Sequence, residues 1–206
     1  MLRPAILFAC ALFAAPVLAE PLSPVKTAEL SARLFDAGVQ SGDPLLILAA
    51  AKLRKTLNPA STDRIAEGGS AASDIPLGWQ DMLDAATPLA SGDDTLLGLI
   101  DDIRAETTKG VATGPVYNIG QIANGKTDVY PSVDFIGNEY AEIYVEAKGA
   151  TNLNLTVTDA QGRLVCSDTD NSHIAYCGWR PDQTAPFQIK VVNRGPNGVT
   201  YALMTN

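Results

Sequence analysis

The chain has 206 residues, with 23 acidic against 15 basic side chains and a formal charge of −8. That excess of negative charge disfavours nucleic acid and anionic lipid as partners, and the length suits one ordinary domain or two small ones. A single histidine and three cysteines leave little material for a metal-ligand framework or for imidazole acid–base chemistry.

Residues 1–19 read as a secretory signal peptide. Arg3 supplies a positive start, Ala5 to Ala15 is apolar, and Val17-Leu18-Ala19 ends in a small residue before Glu20. The apolar run is shorter than the roughly 20 residues a membrane span needs. Cys10 follows Leu7-Phe8-Ala9, and the bulky Phe8 argues against a lipid-attachment signal. Cleavage after Ala19 removes Arg3 and takes the formal charge from −8 to −9. The expected location is periplasmic or secreted.

Residues 20–110 form the expected helical region. Ser23-Pro24 offers a cap and a first-turn proline, with Leu30, Leu34 and Phe35 at helical spacing before Gly38. Asp43-Pro44 opens a second helix whose apolar face is Leu45, Leu46, Leu48, Ala49 and Leu53. Lys52, Arg54 and Lys55 complement the dipole of its last turns, and Asn58-Pro59 stops it. A Gly/Ser/Ala-rich connection covers 58–77. A third helix is predicted from Trp79 to Ala86, with Trp79 as its anchor. A fourth follows a Ser91/Asp94 capping box and carries Leu96, Leu97, Ile100 and Ile103 toward Gly110.

After Gly110 the period changes to two, and residues 111–206 are expected to form a β-sandwich domain. Ala141, Ile143, Val145 and Ala147 alternate with Glu142, Tyr144 and Glu146; Leu153, Leu155 and Val157 alternate with Asn154, Thr156 and Thr158. Phe187 to Asn193 and Val199 to Leu203 alternate likewise, and shorter runs bring the strands to about eight. The fold class is therefore α+β: a small N-terminal helical bundle followed by an antiparallel, jelly-roll-like β-sandwich.

Cys166 and Cys177 enclose about ten residues and read as a disulfide-closed hairpin, which would stabilise by roughly 3 kcal/mol. Two free buried thiols are the alternative. The enclosed turn holds Asp168, Asp170 and Asn171, oxygen ligands for calcium when completed by Asp159 or Asp134; the plainer reading is a turn whose side chains bond their own backbone. His173 stands where an EF-hand needs glycine and Trp179 where it needs glutamate, so an EF-hand is excluded. Tyr176, Trp179 and Arg180 read as a surface that stacks on a sugar or anchors a protein; the alternative is that Trp179 packs over the disulfide or into the sandwich core.

A Ser-His-Asp triad would have to use His173, and no Gly-x-Ser-x-Gly turn presents a serine. Asp101-Asp102 diverge by about 100° on a helix and do not face each other. These features favour an exported, non-enzymatic accessory or binding protein with no cofactor, acting on an envelope or extracellular protein or glycan. The alternatives are a calcium-binding extracellular module and a carboxylate-based hydrolase.

Several segments also carry a family likeness. Asp134-Phe135, Tyr144 to Gly149, Leu153 to Val165, Phe187 to Val191 and Tyr201 to Leu203 resemble the scaffold strands of the bacterial pre-peptidase C-terminal domain, a small β-sandwich appended to many secreted enzymes. The resemblance covers Asp134 to Leu203 and implies a sandwich with an accessory role. It transfers no catalytic residue. The cysteine hairpin is an insertion relative to that pattern, Gly-Thr-Tyr is missing before the penultimate strand, and the preceding segment reads as helices and not as a peptidase.

Overall fold

A computed structural model describes residues 21–69, 72, 74, 76–107, 114–149 and 151–206. The leader, Cys10 and Gly110 lie outside them. Among the described residues the order is α1 (Pro24–Ser41), α2 (Pro44–Lys55), β1 (Ala60–Ser61), α3 (Trp79–Leu89), α4 (Asp94–Ala105), β2 (Val116–Ile122), β3 (Thr127–Phe135), β4 (Ala141–Ala147), β5 (Leu153–Asp159), β6 (Leu164–Asp168), β7 (Ile174–Trp179), β8 (Ala185–Asn193) and β9 (Val199–Thr205).

The helices start where the caps dictate. Ser23 Oγ accepts from Lys26 N at 3.0 Å, and Asp43 Oδ1 accepts from Leu45 N at 2.9 Å, each ahead of a proline in the first turn. Three boundaries differ from expectation. α1 runs through Gly38 and ends at Gly42, whose φ of 66° is the left-handed C-cap. Gly38 is needed for a close approach: a Cβ there would sit 2.6 Å from Ile47 Cγ1. α3 continues through Pro88 to Leu89, because Pro88 falls in the final turn. The cap of α4 is Asp93, whose Oδ1 accepts from Thr95 and Leu96 N, and not Ser91.

The strands form two sheets, ordered β1-β2-β9-β4-β7 and β3-β8-β5-β6. From β2 onward the chain crosses between sheets at nearly every connection, which is jelly-roll connectivity, and only β5–β6 stays within one sheet. The protein is thus α+β, a helical bundle joined to a sandwich whose strand pairs are antiparallel apart from the parallel β1–β2 pair. Ile143, Val145, Leu153, Leu155, Val157, Ile189, Val191 and Leu203 fill the space between the sheets. A polar thread runs among them. Asn118 Nδ2 donates to Tyr130 Oη at 2.9 Å, the Tyr130 and Tyr201 hydroxyls lie 2.8 Å apart, and Tyr201 Oη donates to Asp128 Oδ2 at 2.7 Å.

Ile47, Leu48, Met82, Leu83, Ala86 and Ile100 make a second core between helices, joined by Trp79. A third lies where α1 meets the outer face of the larger sheet: Val25, Ala28 and Ala32 pack on Tyr144, Ile174, Ala202 and Met204. Every residue of β4 is consequently buried, including the set that alternation sets apart as polar. The chain of the helical region also enters the sandwich, since β1 pairs with β2 and Glu67 N donates to Val129 O at 2.7 Å.

Candidate functional site

A buried cation gathers several elements at the junction of helices and sandwich. Arg54, near the end of α2, is 5% exposed and directs every arm of its guanidinium to an acceptor. Nη1 donates to Glu146 Oε2 at 2.8 Å and Leu77 O at 3.2 Å. Nη2 donates to Glu146 Oε1 at 3.3 Å and Ala28 O at 3.2 Å, and Nε donates to Ser31 Oγ at 3.1 Å. Burial opposes the charge, but Glu146 and Tyr144 together outweigh it and hold the guanidinium pKa above its usual value. The fork geometry ties α1, α2, the entry to α3 and β4 to one point.

Beside this junction α1 stands away from the sheet and leaves a cleft of about 460 Å3. Phe35, Val39, Leu77 and Ala147 form its apolar walls; Asp36, Asp81, Lys148 and His173 are its charged or titratable groups. Val39, 51% exposed, stands at the mouth. Asp36 Oδ1 lies 3.5 Å from His173 Nε2. Burial raises the Asp36 pKa above the usual aspartate range and Glu146 adds to it, while His173 and Arg33 pull it down. Asp81 Oδ2 is engaged as acceptor for Gly78 N at 2.8 Å, and Lys148 Nζ contacts Asp74 at 3.1 Å. The cleft can hold an apolar group flanked by the Asp36–His173 pair.

The residues singled out by sequence are distributed differently. Cys166 and Cys177 form the disulfide, with Cα atoms 5.9 Å apart. Their strands do not form a hairpin: β6 pairs with β5 and β7 with β4, so the bridge joins the two sheets across an arch. Within the arch, Asp168 Oδ2 accepts from Tyr176 N at 2.9 Å and Oδ1 from Asp170 N at 3.4 Å. Asp170 Oδ2 is 3.9 Å from Arg33 Nη1, and Asn171 Oδ1 accepts from Asn152 Nδ2 at 2.9 Å. Asp159 is not brought to them. It lies beyond the Thr158–Leu164 pair while Asp168 faces Leu155, roughly 13 Å along the strand, and its carboxylate holds Gln161 N, Arg163 N and Arg163 Nε. No group of three or more His, Cys, Asp or Glu residues is placed to hold a metal ion among the described residues.

The three binding-surface residues also diverge. Trp179 packs edge-on against Phe135 and Phe187, at centroid distances of 4.8 and 5.2 Å, and joins the sandwich core. Tyr176 lies on the outer face under α1: its hydroxyl donates to Glu142 Oε1 at 2.7 Å and Lys26 Nζ sits 3.9 Å from its ring centre. Arg180 remains exposed, and its Nη1 donates to Asn138 O at 2.6 Å.

Sequence reasoning missed Asp36, Arg54 and Glu146 as a group. The available signal was an acid directly after Leu34-Phe35 on an amphipathic helix, together with two glutamates on a strand that is otherwise apolar.

No family model and no curated protein matches the chain. Solved structures do resemble it. The pre-peptidase C-terminal domain of a Bacillus anthracis collagenase is 14% identical over 45% of this chain and 89% of that one, with a TM-score of 0.38. PliG, a periplasmic inhibitor of g-type lysozyme from Aeromonas hydrophila, is 14% identical over 50% of this chain and 91% of its own, with a TM-score of 0.33. The C-terminal CBM6 of LamC from Zobellia galactanivorans is 14% identical over 43% and 80%, with a TM-score of 0.28. A likeness at this level concerns the β-sandwich and carries no function. The sandwich resembles a pre-peptidase C-terminal domain.

Proposed function

We propose that this chain is an exported, non-enzymatic binding protein that acts on a protein or glycan partner of the envelope or the extracellular space. The observation that carries the reading is the apolar-walled cleft between α1 and the sandwich, with Asp36 and His173 at 3.5 Å inside it. Such a combination of apolar wall and few polar groups is the usual make-up of a recognition site. The described lining residues include no serine, threonine or cysteine, so any covalent chemistry in the cleft would fall to Asp36, Asp81, Lys148 or His173. The inter-sheet disulfide supports an oxidising compartment.

The test is affinity capture from the native envelope with the full protein and with Val39→Asp, which places a charge at the exposed mouth. Loss of a specific partner in the variant, with an unchanged circular dichroism spectrum, supports the reading. The same partner set from both proteins contradicts it.

A carboxylate-based hydrolase is the second reading, favoured by one observation: Asp36, with its raised pKa, and Asp81 line the same cleft. Hydrolysis of an oligosaccharide that vanishes in both Asp36→Asn and Asp81→Asn would put this reading first. A calcium-binding module at the Asp168/Asp170 loop would gain from a melting temperature that rises with millimolar calcium and stops rising in Asp168→Ala.

A further inference from the structure

The cleft beside α1 contains a carboxylate that the fold leaves without a cation of its own. Phe35, Asp36, Val39 and Gln40 share one face of α1, because residues three and four apart on a helix stand side by side, and that face lines the cleft. His173 enters from the approach to β7, where its backbone carbonyl accepts from Ala147 N at 3.0 Å. The Asp36 and His173 side chains are 27% and 21% exposed, so a ligand in the cleft can reach both. Among the described residues Asp36 accepts no hydrogen bond, and its close polar neighbour is His173 Nε2 at 3.5 Å.

The basic side chains around the seam are matched elsewhere. Arg33 Nε donates to Glu29 Oε1 at 2.6 Å and Nη1 lies 3.9 Å from Asp170, Arg54 is bound to Glu146, and Lys148 Nζ is 3.1 Å from Asp74. Asp81 spends Oδ2 on Gly78 N and adds a second negative charge to the lining. A half-buried carboxylate with unused acceptors, set among Phe35, Val39 and Leu77, asks for a donor that carries positive charge on an apolar stem. An anionic ligand would meet Asp36 and Asp81, with Lys148 already drawn to Asp74. A sugar hydroxyl could bond the polar pair but would leave the charge unanswered. The formal charge of −8 on the chain draws cationic partners over longer range.

We propose, resting on the reading of this cleft as the partner site, that it takes an aliphatic cation: the side chain of a lysine or arginine carried by a protein partner. The stem lies along Phe35, Val39 and Leu77, the charged head donates to Asp36, and the unprotonated nitrogen of His173 accepts beside it.

The test is a titration of the full protein at low salt, followed by amide chemical shifts. Four probes are used: N-acetyl-Gly-Lys-Gly amide and its arginine, norleucine and glutamate counterparts. The expected result is a saturable shift at Phe35 to Gln40, Ala147, Lys148 and His173 with the lysine or arginine peptide. Norleucine, which keeps the stem and lacks the charge, should bind about tenfold or more weakly, and glutamate should not saturate. Asp36→Asn, with an unchanged circular dichroism spectrum, should bring lysine down to the level of norleucine. Equal binding of lysine and norleucine to the wild type overturns the proposal, as does preference for glutamate, which would make Lys148 the reading group. Unchanged lysine affinity in Asp36→Asn overturns it too, as does lack of saturation by both cationic peptides up to about 20 mM. None of these results touches the cleft as a partner site, which the Val39→Asp capture decides separately.

Discussion

Arg54 and Glu146 are 5% and 3% exposed and, among the described residues, are each other's only opposite charge at bonding distance. Taking two charges out of water is costly, and the cost is recovered only while both remain. Glu146→Ala is therefore expected to lower stability by about 3–5 kcal/mol, read as a shift of the urea midpoint, whereas Arg54→Met with Glu146→Leu should restore much of it. A different sign applies at Asp36. Its folded pKa is raised by burial, so the unfolded chain releases that proton first as pH rises. The stability it contributes is complete below the unfolded aspartate value and is lost as pH climbs through the folded one. Urea unfolding between about pH 3 and 7 should show the wild type losing stability relative to Asp36→Asn across that window; parallel curves would remove Asp36 as the cause.

At the scale of elements, close approach and cross-links decide. α1 and α2 cross at Gly38, where an added Cβ would lie 2.6 Å from Ile47 Cγ1 and 2.9 Å from Ile47 N. Gly38→Ala improves helix propensity yet should destabilise by about 1–3 kcal/mol through overpacking, with a lower melting temperature as the readout. The arch from β6 to β7 depends on its disulfide, which closes about ten residues and should contribute roughly 3 kcal/mol. Reduction, or Cys166→Ala with Cys177→Ala, is expected to lower the melting temperature while leaving strand content intact. The periodicity of Tyr140 to Ala147 revealed β4 but not its cover. Alternation separates two faces; it does not say that α1 and α2 lie on the second. Gly38 read as a stop for the same reason, since a glycine required for helix contact and one required for a turn look alike locally.

At the scale of the molecule, the architecture was legible because capping residues and period-two runs are local signals. The two-sheet arrangement of Cys166 and Cys177 was not, because their spacing fits a hairpin as well as an arch. The cleft was illegible for a stronger reason. Asp36 comes from α1, Leu77 and Asp81 from the start of α3, Lys148 from the end of β4 and His173 from the approach to β7. No spacing in the chain announces that set; only docking of the helices on the sandwich creates it. Trp179 shows a choice that local sequence leaves open, between a surface anchor and a core aromatic, and that Phe135 and Phe187 decide in favour of the core.

The central claim, that the seam between helices and sandwich is where this protein meets its partner, is tested most directly by site-specific photo-crosslinking in the native envelope. A crosslinkable residue at Val39, in the cleft mouth, is predicted to trap a discrete adduct, while one at Leu99, exposed on α4, traps none. Adducts from Leu99 with none from Val39, or identical patterns from both, would contradict it.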